Sequence, residues 1–170
     1  MLAEITNVLQ GRQPTLVDLP KMPYLEMVIK ESLRLYPPAW TTSREPLEDI
    51  ELGGYTIPKG STLIICMYVL HHDPRFWKEP ERFMPERFEA ANEENISKYA
   101  YFPFGAGPRV CIGNQFAMME AELILATILQ RYHLSLVPGQ HIKPKPLVTL
   151  RPEPDILMQI SHRDMAAQST

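Results

Sequence analysis

At 170 residues the chain is long enough for one domain with a real core, and 45% hydrophobic against 22% charged residues excludes wholesale disorder. A formal charge of -3 excludes the basic face that nucleic-acid binding requires. No run reaches the roughly 18 apolar residues of a membrane span, and two cysteines are too few for a disulfide framework. A soluble, cytoplasmic protein is expected, the exception being a membrane anchor on sequence ahead of Met1.

Residues 24–36 place Leu25, Val28, Ile29, Leu33 and Tyr36 on one face, a helical stripe stopped by Pro37-Pro38. Glu31 and Arg34 lie three residues apart and off that stripe. Read alone, they form a solvated ion pair contributing a few tenths of a kcal/mol. Residues 50–67 alternate turn signals, Gly53-Gly54 and Pro58-Lys59-Gly60, with β-branched residues, which predicts short antiparallel strands. The longest apolar run, 62–70, suits a buried strand with Cys66 in the core. His71-His72-Asp73 has no third ligand at metal spacing and reads as a structural turn. Residues 73–88 predict short helical turns in an irregular, packed meander; Pro-Glu-Arg-Phe occurs there twice, at 80–83 and 85–88. After a glycine- and proline-punctuated loop at 102–113, residues 115–132 predict a second long helix with Phe116, Met119, Leu123 and Ala126 on one face. The tail holds two predicted strands, 133–137 and 156–160, separated by a proline-rich loop.

The loop Phe104-Gly105-Ala106-Gly107-Pro108-Arg109-Val110-Cys111-Ile112-Gly113 sets a lone cysteine just before a helix. A helix N-terminus offers unpaired N–H groups and a positive dipole end, and both favour thiolate over thiol. Gly113 lets the backbone approach the sulfur, and Gly105 and Gly107 permit the positive φ of a tight turn. Arg109 is a fixed cation suited to the carboxylates of a cofactor, and Phe104 is an apolar wall. By cysteine statistics alone, a buried structural thiol is the commoner reading. A phosphate-binding loop is excluded, since no Gly-Lys-Ser/Thr follows and no strand directly precedes.

The spacing Phe-x-x-Gly-x-Arg-x-Cys-x-Gly resembles the heme-binding signature of the cytochrome P-450 family, with all five fixed positions filled, and Phe116-Ala117 resembles the continuation into its next helix. The resemblance implies heme b (iron-protoporphyrin IX) with Cys111 as the axial iron ligand, Arg109 on a propionate and Phe104 shielding the sulfur; Gly107 and Gly113 complete the motif. A thiolate ligand pushes electron density onto the iron. Arg44 resembles a second propionate-binding residue, with a surface arginine the equal alternative.

Glu-x-x-Arg followed downstream by Pro-Glu-Arg-Phe resembles the family's buried Glu-Arg-Arg triad. That implies Glu31, Arg34 and Arg87, because the family's Phe-x-Pro-x-Arg-Phe selects Arg87 with Phe83 leading, and leaves Arg82 at the surface. The implied activity is monooxygenation: one oxygen atom enters a small hydrophobic organic substrate, and a ferredoxin- or flavoprotein-type redox partner delivers electrons from a nicotinamide. The loop and following helix resemble most the bacterial members with fatty-acid-like substrates. The expected fold is α+β and mainly helical, with two long helices, small sheets, a meander and the cysteine loop. Residues 1–170 are expected to form a single partial domain, the family's C-terminal heme-binding region. The long central helix of the family, which serves oxygen activation, has no counterpart in the sequence, so the alternative is a truncated, non-catalytic fragment.

Overall fold

A computed structural model describes residues 1–163. The first element, α1 (Leu2–Leu9), was not anticipated from sequence. Its Ile5 and Leu9 are fully buried, and it ends in a left-handed Gln10. A 3-10 turn at Leu16–Lys21 follows, closed by Asp18, which accepts from the Thr15 N–H (2.9 Å), the Thr15 hydroxyl (2.7 Å) and Arg12 Nη1 (2.6 Å). Those donors hold the Asp18 carboxyl well below the usual carboxylate range.

Helix α2 (Pro23–Leu35) starts on a proline, whose missing N–H costs nothing at that position. Glu4 of α1 then accepts from the first-turn N–H groups of Tyr24 (2.9 Å) and Leu25 (3.1 Å), so one helix caps the next. Ile5, Leu9, Met22, Leu25 and Ile29 join Ala126 of α5 (Asn114–Arg131) in the larger core. Helix α5 buries a line four residues apart, Glu122, Ala126 and Gln130. The stripe expected to face inward reaches the core only at Ala126, and Phe116 is exposed. On the buried face Gln130 donates through Nε2 to the Arg12 carbonyl (3.1 Å), while its Oε1 is buried without a partner.

Among the described residues, four two-stranded antiparallel sheets complete an α+β fold. Strand β1 (Thr41–Arg44) pairs with β4 (Leu63–Cys66), and β2 (Ile50–Leu52) with β3 (Tyr55–Ile57) across a Gly53-Gly54 turn in which both φ angles are positive. The apolar run at 62–70 is not one buried strand. It changes at Cys66 into α3 (Met67–His71), which buries Met67 and His71 at helical spacing, while Ile64 stays exposed. Cys66 is half-buried at that junction, not in the core.

The meander carries a 3-10 turn at Pro85–Phe88 and the short α4 (Ala90–Glu93), over a second core of Trp77, Phe88 and Ala100 with Tyr101 against it. After α5, β5 (Tyr132–Leu136) pairs with β8 (Met158–His162). The segment expected as a proline-rich loop between them is a hairpin, β6 (Lys143–Pro146) with β7 (Leu150–Glu153). Pro144 stands opposite Pro152, and Pro146 opposite Leu150. An antiparallel ladder tolerates proline at those alternate pairs, where no N–H is exchanged with the partner strand.

Candidate functional site

Two groups of the sequence-selected residues are brought together, at either end of a short path. The first lies where α2 meets the meander. Glu31 and Arg34 are fully buried, contrary to the solvated pair that their place on the helical wheel suggests. Arg34 holds Glu31 in a fork, Nε to Oε2 at 2.7 Å and Nη2 to Oε1 at 2.9 Å. Glu31 Oε1 also accepts from the Met84 N–H (2.9 Å) and Arg87 Nε (3.3 Å).

Two guanidiniums against one carboxylate leave a net positive cluster, and backbone carbonyls absorb the excess. Arg34 Nη1 donates to the His71 carbonyl (2.7 Å), Arg34 Nη2 to that of Arg82 (3.3 Å), and Arg87 Nη2 to that of Glu79 (2.7 Å). The Arg34 guanidinium also lies 5.0 Å from the centre of the Trp77 ring. Of the two Pro-Glu-Arg-Phe copies, only Arg87 reaches Glu31; the Arg82 side chain is 63% exposed and pairs with Glu79 at 3.2 Å.

The second group is the cysteine loop. The Cys111 N–H donates to the Phe104 carbonyl (2.9 Å), the Gly105 N–H to that of Phe102 (2.9 Å), and the Val110 N–H to that of Gly107 (3.1 Å). Gly105 (φ 75°) and Gly107 (φ 72°) occupy conformations a side chain resists. Arg109 ends a 3-10 turn, Gly107–Arg109, and the Cys111 residue is exposed just ahead of α5. Gly113 lies beside the sulfur: a Cβ there would sit 3.9 Å from Sγ. Arg44 is on the β1–β4 sheet, where its Nη1 donates to Thr42 Oγ1 (3.1 Å) and the Ser43 carbonyl (2.7 Å). No hydrogen bond or ion pair joins Arg44 to the loop among the described residues.

A cavity of about 640 Å³ opens under one side of the loop, lined by Phe104, Val110, Met118 and Met119 with Lys30 and Glu122. Burial pushes the Glu122 carboxyl up. Among the described residues no group of three or more His, Cys, Asp or Glu could hold a bare metal ion, and no helix is long and apolar enough to cross a membrane.

His71, which sequence reasoning placed only in a structural turn, has a larger part in the structure. It is fully buried, with Nδ1 at 3.1 Å from the Arg34 carbonyl and Nε2 accepting from the Phe102 N–H at 3.2 Å. The contact spans 31 residues, and no motif or periodicity signals it.

The cytochrome P450 family model matches residues 1–160. The chain is 41% identical over 152 residues to cyclooctatin synthase of Streptomyces melanosporofaciens, an alignment covering 89% of this chain and 33% of the relative. It is 47% identical over 130 residues to cytochrome P450 3A7 of Homo sapiens, covering 76% and 26%. With cytochrome P450 3A19 of Capra hircus aegagrus it shares 41% identity over 160 residues, covering 92% and 72%. The chain belongs to the cytochrome P450 family. It spans about a third of the length of the first two of these relatives, or less.

The family's cofactor is heme b, and the residues present fit it on donor chemistry. An exposed thiol ahead of a helix, an exposed arginine two residues before it and the exposed apolar side chains Val110, Ile112 and Phe116 suit a flat, apolar, iron-bearing group edged with carboxylates. Arg109 forms no ion pair among the described residues, so its charge is available.

Proposed function

We propose that this chain is the heme-binding part of a monooxygenase that inserts one oxygen atom into a small hydrophobic organic substrate. Heme, when bound, supplies the redox chemistry at iron. Cys111 holds the iron as thiolate, Arg109 and Arg44 bind propionates, and Phe104 keeps water from the sulfur. Gly107 supplies a positive φ that the turn needs, and Gly113 sits beside Sγ. Glu31, Arg34 and Arg87 fasten the meander beneath that loop. Electrons come from a redox partner, either a ferredoxin or a flavoprotein reductase, and the setting is the cytoplasm, where both thiols stay reduced. The observation that carries the reading is the seating of Cys111, held by its own N–H on Phe104 with Gly113 against its sulfur.

The test is spectroscopic. With heme incorporated, the ferrous–CO complex should show the far-red-shifted Soret band of a thiolate ligand. Cys111→Ala should abolish that band and Cys66→Ala should leave it. A normal band in the Cys111 variant would overturn the assignment.

A further inference from the structure

We infer that His71 is a positioning residue: through its two ring nitrogens it ties the base of the Cys111 loop to the buried Glu31–Arg34 pair. The inference rests on Cys111 being the functional end of that loop, but its structural content can be tested without heme.

The contacts form a continuous relay. Arg34 donates to the His71 carbonyl (2.7 Å), and the His71 ring returns to the Arg34 carbonyl through Nδ1 (3.1 Å), so the two residues grip each other twice. From the other side of the ring, Nε2 accepts the Phe102 N–H (3.2 Å). The Phe102 carbonyl takes the Gly105 N–H, and the Phe104 carbonyl takes the Cys111 N–H, both at 2.9 Å. Each link is short and directional, and the ring at its centre is fully buried, so water cannot substitute for a lost partner.

The contacts also fix the protonation of the ring. A nitrogen that accepts an N–H carries no proton, so Nε2 is bare and the proton of the neutral ring sits on Nδ1, aimed at a carbonyl. Tyr101 stacks on one side (5.5 Å between ring centres) and Phe102 meets it edge-on (5.8 Å), which fixes the plane of the ring, and the two hydrogen bonds select its orientation in that plane. Burial, with Arg34 and His72 nearby, lowers the imidazole to about 4, so the neutral form that the relay requires is the one present at neutral pH.

The geometry separates two substitutions of similar size. In His71→Gln the side-chain oxygen extends to about the position of Nε2 and still accepts from Phe102. In His71→Asn the shorter amide reaches only the Nδ1 position and keeps the Arg34 carbonyl but not Phe102.

The experiment follows the Phe102 amide in the full chain without heme, and then heme dissociation after loading. Expected results are a drop in Phe102 exchange protection of tenfold or more in His71→Asn with little change in His71→Gln, and faster heme loss in Asn only. Equal protection in both variants and the wild type would overturn the inference, as would equal loss in both, which would make His71 a packing residue. Should either variant fail to fold, the wild-type chain decides by nitrogen NMR. A protonated Nδ1, with scalar coupling between the Phe102 amide nitrogen and Nε2, supports the relay; an Nε2–H tautomer without coupling refutes it. A chain that shows the Phe102 behaviour but no thiolate-type CO band retains the relay and loses the heme assignment.

Discussion

Glu31 is served by three donors of unequal weight, and that inequality orders the effects of mutation. Arg34 provides a two-bond fork at 2.7 and 2.9 Å, whereas Arg87 reaches the same carboxylate with one longer bond at 3.3 Å. Arg34→Ala leaves a buried carboxylate short of its main partner, and a loss of roughly 3–5 kcal/mol is expected. Arg87→Ala should cost less, because Arg34 and the Met84 N–H stay in place, and the exposed Arg82→Ala least of all. Urea midpoints of the three variants give the ranking, and a larger effect at Arg82 than at Arg87 would contradict it. His71 adds a pH dependence whose sign follows from its lowered pKa. The unfolded chain binds a proton near the ordinary value of 6.5, the folded one only near 4. Stability is therefore full above pH 6.5 and declines as pH falls towards 4, by about 3 kcal/mol at 1.36 kcal/mol per unit. Urea titrations at steps from pH 7 to 4 should show this decline, and His71→Gln should flatten it.

At the scale of elements, what the sequence made legible was whatever had a period or a fixed spacing. The stripe through Leu25 and Ile29 marked α2 because Pro37-Pro38 cut it off sharply. Gly53-Gly54 marked the β2–β3 hairpin because few other residues accept two consecutive positive φ angles. The cysteine loop was legible for the same reason, since Gly105 and Gly107 are backbone requirements written as residue types. The failures share the opposite character. Strand β1 ends at Arg44 and pairs with β4, which begins only at Leu63, and nothing local in Thr41–Arg44 announces it. Met67 begins a helix because the chain beyond Cys66 turns its side chains under α2, a decision made by tertiary burial. The burial of Glu31 and Arg34 was invisible to periodicity, because a polar helix face that meets carbonyls and cations reads the same as one that meets water. His71 was read as part of a turn, and its contact with Phe102, 31 residues away, was invisible on the same ground.

For the molecule as a whole, the cysteine loop lies open. Ile112 is fully exposed, Phe116 is 63% exposed, and Val110 beside them is also exposed. Oxygen chemistry at a metal centre needs water excluded, and an apolar surface of this kind seeks cover. Residues 1–170 expressed alone and supplied with heme are thus expected to give no oxygen- and reductant-dependent product from fatty acids beyond that of free heme. Turnover well above free heme would show that these residues suffice.

The β6–β7 hairpin stands in contrast to that open surface. In an antiparallel pair the alternate residues, here 144, 146, 150 and 152, turn their N–H groups away from the partner strand, towards whatever might add to the sheet. Three of the four are prolines and have no N–H to offer, and the fourth, Leu150, already donates to the Pro38 carbonyl at 2.9 Å. Neither edge presents a free outward donor at these positions, so another strand would find only carbonyl acceptors and half of a ladder. The prolines that hid this hairpin from sequence reading also protect it from edge-to-edge aggregation.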